Sequence, residues 1–243
     1  MTMEKNIYGY NPQPMEEERE LTRSFPAMMQ KVYVWMTLAL AITGLTAYYV
    51  ASNEALLFSI LTNSAITWGL IIAELVMVFT LSAAIGRLSF PVAGLLFGAY
   101  SVLNGATLSV IFLAYTMESI TTTFFVTAGT FGAISLFGLF TKKDLGAIGR
   151  FCYMALIGLV IATVVNLFVA STTFSWALTY IGVLVFCGLT AYDTQKMKEI
   201  LFQYEATGGT NLMKVALLCS LSLYLDFINL FIYLLRIFGG RKD

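Results

Sequence analysis

FCYMALIGLVIATVVNLFVA, residues 151–170, is a run of twenty residues without a single Asp, Glu, Lys or Arg. A helix rises ~1.5 Å per residue, so such a run covers the ~30 Å hydrocarbon core of a bilayer. Lipid supplies no water to satisfy backbone N–H and C=O groups, so a segment of this kind must bond within itself, as a helix. Six further stretches of the same character span residues 32–51, 65–86, 90–114, 121–140, 174–197 and 212–237. A membrane barrel would instead show alternating strands of ~10 residues. The sequence predicts an all-α polytopic membrane protein with seven membrane-embedded helices.

The totals agree. Of 243 residues, 58% are hydrophobic and 12% charged, against roughly 25% charged in an average soluble domain. Acidic and basic residues balance at fourteen each, which gives no sign of nucleic acid or another polyanionic partner. There is no histidine, so the commonest metal ligand, general base and neutral-pH switch are all missing. Any proton chemistry falls to carboxylates, and no cofactor is expected. Cys152, Cys187 and Cys219 stand singly in apolar stretches, without the spacing of a metal knuckle or redox pair, and read as small core residues.

Residues 1–24 are polar, with Pro12, Pro14 and the run Glu16-Glu17-Glu18-Arg19-Glu20, and cannot bury enough apolar area to fold alone. They read as a flexible cytoplasmic tail on a membrane domain over residues 25–243. Turn residues mark short joints at Ser52-Asn53, Ser89 to Pro91, Lys142-Lys143-Asp144 and Ser171 to Thr173. Gly94 and Gly98 in the third segment, and Gly129, Gly132, Ala133 and Gly138 in the fourth, read as flat faces for close helix packing.

Cytoplasmic loops are enriched in Lys and Arg. Joints 2–3, 4–5 and 6–7 hold Arg87; Lys142, Lys143 and Arg150; and Lys196, Lys198 and Lys214, whereas joints 1–2, 3–4 and 5–6 hold none. The amino terminus, with Arg19, Arg23 and Lys31, belongs with the basic joints, hence in the cytoplasm. Seven full crossings then put Arg236, Arg241 and Lys242 outside, against the rule. A last helix that dips in and returns would keep them inside, and the sequence leaves both arrangements open.

An ionisable group within the hydrocarbon costs about 2.5–3.5 kcal/mol on insertion scales, so each is a functional candidate. Three acids qualify: Glu74, Asp193 and Asp226. Glu74 has apolar neighbours on both sides and must face the bundle interior. The last two segments join through Thr207-Gly208-Gly209-Thr210-Asn211, a turn whose Thr210 or Asn211 can cap the next helix. In an antiparallel hairpin, Asp193 and Asp226 each lie about sixteen residues, or about 24 Å, from the centre of that turn. Two carboxylates meeting in a low-dielectric interior cannot both ionise cheaply, so one proton is shared around neutral pH. Losing it would drive the two helices apart and leave an anionic pair suited to a hard cation such as Ca²⁺. The structural alternative is that Asp193 sits at the interface beside Lys196 and that Asp226 bonds only Asn229 or a helix backbone.

Two motifs narrow the field. Gly188-Leu-Thr-Ala-Tyr-Asp193-Thr-Gln-Lys196 and Ser220-Leu-Ser-Leu-Tyr-Leu-Asp226-Phe-Ile-Asn-Leu-Phe-Ile-Tyr-Leu-Leu-Arg236-Ile-Phe-Gly resemble the signature of the Bax inhibitor-1 family, bacterial branch, a resemblance that runs from about residue 25 onward. It implies a seven-helix bundle around a central last helix, in the bacterial inner membrane, and a pH-sensitive calcium leak. Asp193 and Asp226 match the family's aspartate pair, Ca²⁺ being the transported ion, and Glu74 resembles its second-helix glutamate. The family's second helix also carries an arginine that latches onto the pair. The nearest counterpart, Arg87, stands further from Glu74 than in the family pattern. The joint between the last two segments is also longer, with Gln203 to Asn211 as the addition.

The leading expectation is therefore a monomeric Ca²⁺ leak gated by Asp193 and Asp226, and not an enzyme. A second is an interaction protein whose acidic tail regulates a membrane protease or a cell-death or stress partner, as the resemblance allows. A third is an intramembrane aspartyl protease, but Leu223 and Leu225 replace the glycines that flank the second aspartate of such enzymes.

Overall fold

The computed structural model describes residues 13–206, 212–240 and 242. Among them the chain forms helices and no strand: α1 (Gln13–Ser52), α2 (Glu54–Thr62), α3 (Ser64–Ala84), α4 (Phe90–Leu108), α5 (Ile111–Ala114), α6 (Met117–Phe140), α7 (Gly146–Val169), α8 (Thr172–Ala206) and α9 (Leu212–Phe238). Seven stretches of the described residues are long and apolar enough to cross a membrane, α4 and α5 together supplying one of them. The chain is an all-α polytopic membrane protein.

Several boundaries differ from the sequence reading. The first joint is not a bare turn at Ser52-Asn53. It holds the short helix α2, capped by Asn53, whose Oδ1 accepts from the Leu56 N–H at 3.2 Å. Asn63 caps α3 in the same way, accepting from Ala65 N–H at 3.0 Å. The third segment breaks after Leu108, and the first helix begins at Gln13, before the acidic run. Joint 5–6 is very short because Ala170 takes a left-handed conformation, φ 51°, and closes α7 without a glycine. α8 runs on to Ala206, well past the bilayer's reach, as an addition at the hairpin would produce. The turn itself, with Thr210 and Asn211, lies outside the described residues.

α9 is the centre of the bundle. Its apolar window is 67% buried, against 6% for Ser64–Ala84 and 11% for Gly146–Val169. It packs on α1, α4, α6 and α8, while α3 leans on α4 and α7 on α8. Lipid is as apolar as leucine, so burial inside the bundle gains packing contacts and hydrogen bonds instead of escape from water. Polar ties accordingly hold α9 in place. Buried Ser220 donates to the carbonyls of Val32 and Ala216. Of the glycines expected at packing faces, Gly138 meets a backbone, with the Ala191 carbonyl where a Cβ would stand; Gly98, Gly129 and Gly132 have nothing there. The close approach of α6 to α8 therefore rests on Gly138, which meets α8 at Ala191, two residues from Asp193.

The last helix crosses fully. At its start Lys214 reaches the Gly86 carbonyl, in joint 2–3. At its end Gly240 bonds Ser119 and Thr116, and Lys242 donates to the Phe112 and Ala114 carbonyls, beside joint 3–4. The two ends of α9 thus lie at opposite ends of the bundle. With the basic joints inside, Arg236 and Lys242 are outside, and the re-entrant alternative falls.

Candidate functional site

Asp193 and Asp226 both come from the interface between α8 and α9, and both are buried, at 8% and 5% exposure. Local structure fixes Asp193 first. Two residues along α8, Gln195 clamps the α6–α7 joint, accepting from Leu145 N–H at 2.8 Å and donating to the Lys143 carbonyl at 2.9 Å. Lys198 adds a bond to the Leu139 carbonyl at 3.1 Å. This region of α8 is pinned to α6 and α7, so the Asp193 carboxyl has a defined place.

Both oxygens of that carboxyl are occupied. Tyr153 of α7 donates to Oδ1 at 3.0 Å and Ser222 of α9 to Oδ2 at 2.7 Å. Ser222 lies one helical turn before Asp226, on the same face of α9. Asp226 therefore stands a turn deeper than Asp193, near the middle of α9. Its Oδ2 is buried and has no hydrogen-bond partner among the described residues. A carboxyl group left in that condition is anomalous, because a buried polar atom without a partner costs about 1–3 kcal/mol.

A cavity of about 360 Å³ reaches this place from the cytoplasmic half, lined by Ser82, Tyr153, Asp193, Lys196 and Ser222 among apolar side chains. Lys196 lines it too and is exposed, its ammonium 5.6 Å from the centre of the Tyr192 ring. Outward of Asp226 the character changes. Phe227 packs edge-on against Phe124 and Phe131, and Phe231 against Phe124. Leu230, Leu234 and Leu235 of the same helix are buried with them. The cavity thus reaches Asp193, with Asp226 one turn beyond its lining and an apolar plug further outward.

The other sequence candidates lie elsewhere. Glu74 is half-buried and faces α4, where Thr107 donates to it at 2.5 Å. Arg87 is exposed past the end of α3, and the cation that lines the cavity with Asp193 is Lys196. Asn229 donates to the Leu225 carbonyl at 2.8 Å, one turn back on its own helix. Cys152 and Cys219 are buried and Cys187 is half-buried, all three as free thiols. Among the described residues no group of three or more His, Cys, Asp or Glu side chains could hold a metal ion.

Sequence reading missed Tyr153 and Ser222, the two donors to Asp193. It also missed a second polar chain on the opposite face of α9. There the fully buried Tyr224 hydroxyl lies 2.7 Å from Thr43 Oγ1 and 3.1 Å from Asn104 Oδ1, and Thr43 donates to the Ser101 carbonyl at 3.0 Å. The spacing of Ser222, four residues before Asp226, was the available signal for one of these groups.

A central helix packed against four others and carrying a buried acid near its middle defines a class: polytopic membrane proteins built around an interior carboxyl pair. The family model described as "Inhibitor of apoptosis-promoting Bax1" matches residues 26–243. Inner membrane protein YbhL of Escherichia coli K12 is 52% identical over 214 residues, covering 88% of this chain and 92% of that protein. An uncharacterized protein of Deinococcus radiodurans is 43% identical, over 88% of this chain and 90% of its own. Uncharacterized protein RP147 of Rickettsia prowazekii is 41% identical with the same coverage. The chain belongs to the Bax inhibitor-1 family, as a multi-pass protein of the bacterial inner membrane.

Proposed function

We propose that this protein is a pH-sensitive Ca²⁺ leak gated by Asp193 and Asp226. The observation that carries the reading is Asp226 Oδ2, a buried carboxyl oxygen without a partner at mid-membrane depth, beside a second buried carboxyl. At low pH the pair holds a proton, and α8 and α9 pack tightly through Ser222 and Asp193. When the proton leaves, two like charges face each other in a low-dielectric interior. Their repulsion acts across the α8–α9 interface.

The same event creates the ion's binding site. Ca²⁺ takes six to eight oxygen ligands, and Asp193, Ser222 and Tyr153 offer carboxylate and hydroxyl oxygens on the cavity, with the Asp226 carboxyl one turn beyond. Relaxing α9 also loosens Phe227 and Phe231, which close the outer half. Peptide hydrolysis by paired aspartates suits this geometry less, since both oxygens of Asp193 already accept from the protein.

The test is Ca²⁺ entry into liposomes holding the purified protein at pH 6, 7 and 8, compared with the variant Asp193→Asn/Asp226→Asn. The leak reading expects flux that rises with pH in the wild type and a flat profile in the variant. Absence of flux at every pH would make the pair a structural feature and turn attention to a regulatory role toward another membrane protein.

A further inference from the structure

The packed helices α6 and α8 bury hydroxyls along their interior faces: Thr123, Thr127 and Ser135 on α6, and Thr179, Thr190 and Thr194 on α8, each 0–3% exposed. Thr194 Oγ1 lies 3.4 Å from Ser135 Oγ, which sets the register of the pair. Both helices start at the outer end of the bundle and run inward together. By helical rise Thr123 stands about 18 Å outward of Ser135, and Thr179 about 22 Å outward of Thr194, so the two share a depth to within a turn. Alanine or valine would fill such positions without the cost of burying a polar group.

What these side chains leave free is acceptor capacity. Thr127, Thr179 and Thr190 each donate to the carbonyl four residues back on their own helix, at 2.8, 2.9 and 2.7 Å. That bond uses the proton and leaves oxygen lone pairs open. Thr123 Oγ1 is buried with no hydrogen-bond partner among the described residues. Such oxygens suit a hard cation. At the outer end a cavity of about 590 Å³ is lined by Ser175, Thr179 and Arg236 among others, and Thr179 is the α8 residue of its lining furthest into the membrane. Arg236 is exposed there, so water and salt screen its charge. At the inner end Thr194 follows Asp193 directly. Between them stands the plug, where Phe227 packs on Phe124 and Phe131, the residues of α6 that flank Thr127.

We infer that the seam between α6 and α8 is the outer half of the ion's route: once the plug loosens, Ca²⁺ passes from Asp193 along the hydroxyl oxygens of Ser135, Thr127 and Thr123 to the cavity at Thr179. This inference rests on the leak reading and adds its path. The test measures Ca²⁺ entry at pH 8 into liposomes holding the full chain. Thr123→Val and Thr127→Val keep the side-chain shape and should each lower flux by about fivefold. Thr127→Ser, which keeps the oxygen and guards against a packing effect, should conduct nearly as the wild type does, as should Thr80→Val on the exposed side of α3. A second readout is reaction with a charged methanethiosulfonate at pH 8, in protein whose three native cysteines are replaced by alanine. Thr127→Cys should react, whereas Leu136→Cys, exposed on the outer side of α6, should stay inert in lipid. If the wild type conducts but the valine variants lose no flux, or Thr127→Ser fails to conduct, or Thr127→Cys is as inert as Leu136→Cys, the route is overturned and the leak reading stands. Absence of wild-type flux at every pH overturns both.

Discussion

Replacing Tyr153 with phenylalanine removes one oxygen and leaves the ring, so it deletes the 3.0 Å bond to Asp193 Oδ1 with little change in packing. Hydrogen bonds within membrane bundles average about 0.6 kcal/mol in double-mutant cycles and reach about 1.7. A bond to a charged acceptor contributes about 1.5–3 kcal/mol, a neutral one about 0.5–1.5. Asp193 is buried and has a second donor in Ser222, which favours the upper part of the membrane range. The expected coupling between Tyr153→Phe and Asp193→Ala is about 1–1.7 kcal/mol, and the single change Tyr153→Phe should lower Tm by about 2–7 °C. The assay is reversible unfolding of the four members of the cycle in bicelles, at pH 6 and pH 8. Coupling should grow with pH as the acceptor gains charge. A coupling within error of zero at both values would refute the bond, and a coupling equal at both would refute the titration on which the gate depends.

Three further outcomes follow from the packing. Asp226→Asn keeps the shape of a side chain whose Oδ2 has no donor, so stability measured in the same assay should stay level or rise by up to about 1 kcal/mol; a loss above about 2 kcal/mol would mean that the carboxyl is satisfied after all. Gly138→Val drives a side chain into the Ala191 backbone and should cost about 1–3 kcal/mol, read as a fall in Tm, while the same change at Gly132, which faces open space, should cost less. Lys242→Cys should react with a membrane-impermeant maleimide added outside intact cells; labelling only after permeabilisation would contradict a full crossing by α9.

Fold class was legible because each span is long and predominantly apolar, and because Lys and Arg segregate by joint. What escaped was local. The stretch 54–62 reads as part of a joint until Asn53 and Asn63 are seen capping the ends of two separate helices. Glycines predict where helices can approach, not where they do, which is why Gly138 packs closely and Gly129 does not.

The candidate site was half legible. Counting from the hairpin turn brought Asp193 and Asp226 to one depth, which holds to within about a turn, since Asp193 meets Ser222 directly. Tyr153 left no such trace. It sits on the largely lipid-facing α7 and is itself 40% exposed, so nothing along its own helix shows that its hydroxyl turns inward.

The account turns on α8 and α9 moving apart when the carboxyl pair loses its proton. The direct measurement is the spin–spin distance between labels at Glu199→Cys and Met213→Cys, two exposed positions on the cytoplasmic parts of these helices, with the three native cysteines replaced by alanine. From pH 6 to pH 8 the distance should lengthen or broaden in the otherwise native protein and stay fixed when Asp226→Asn is added. A distance that does not change with pH while Ca²⁺ flux does would contradict the proposed gate.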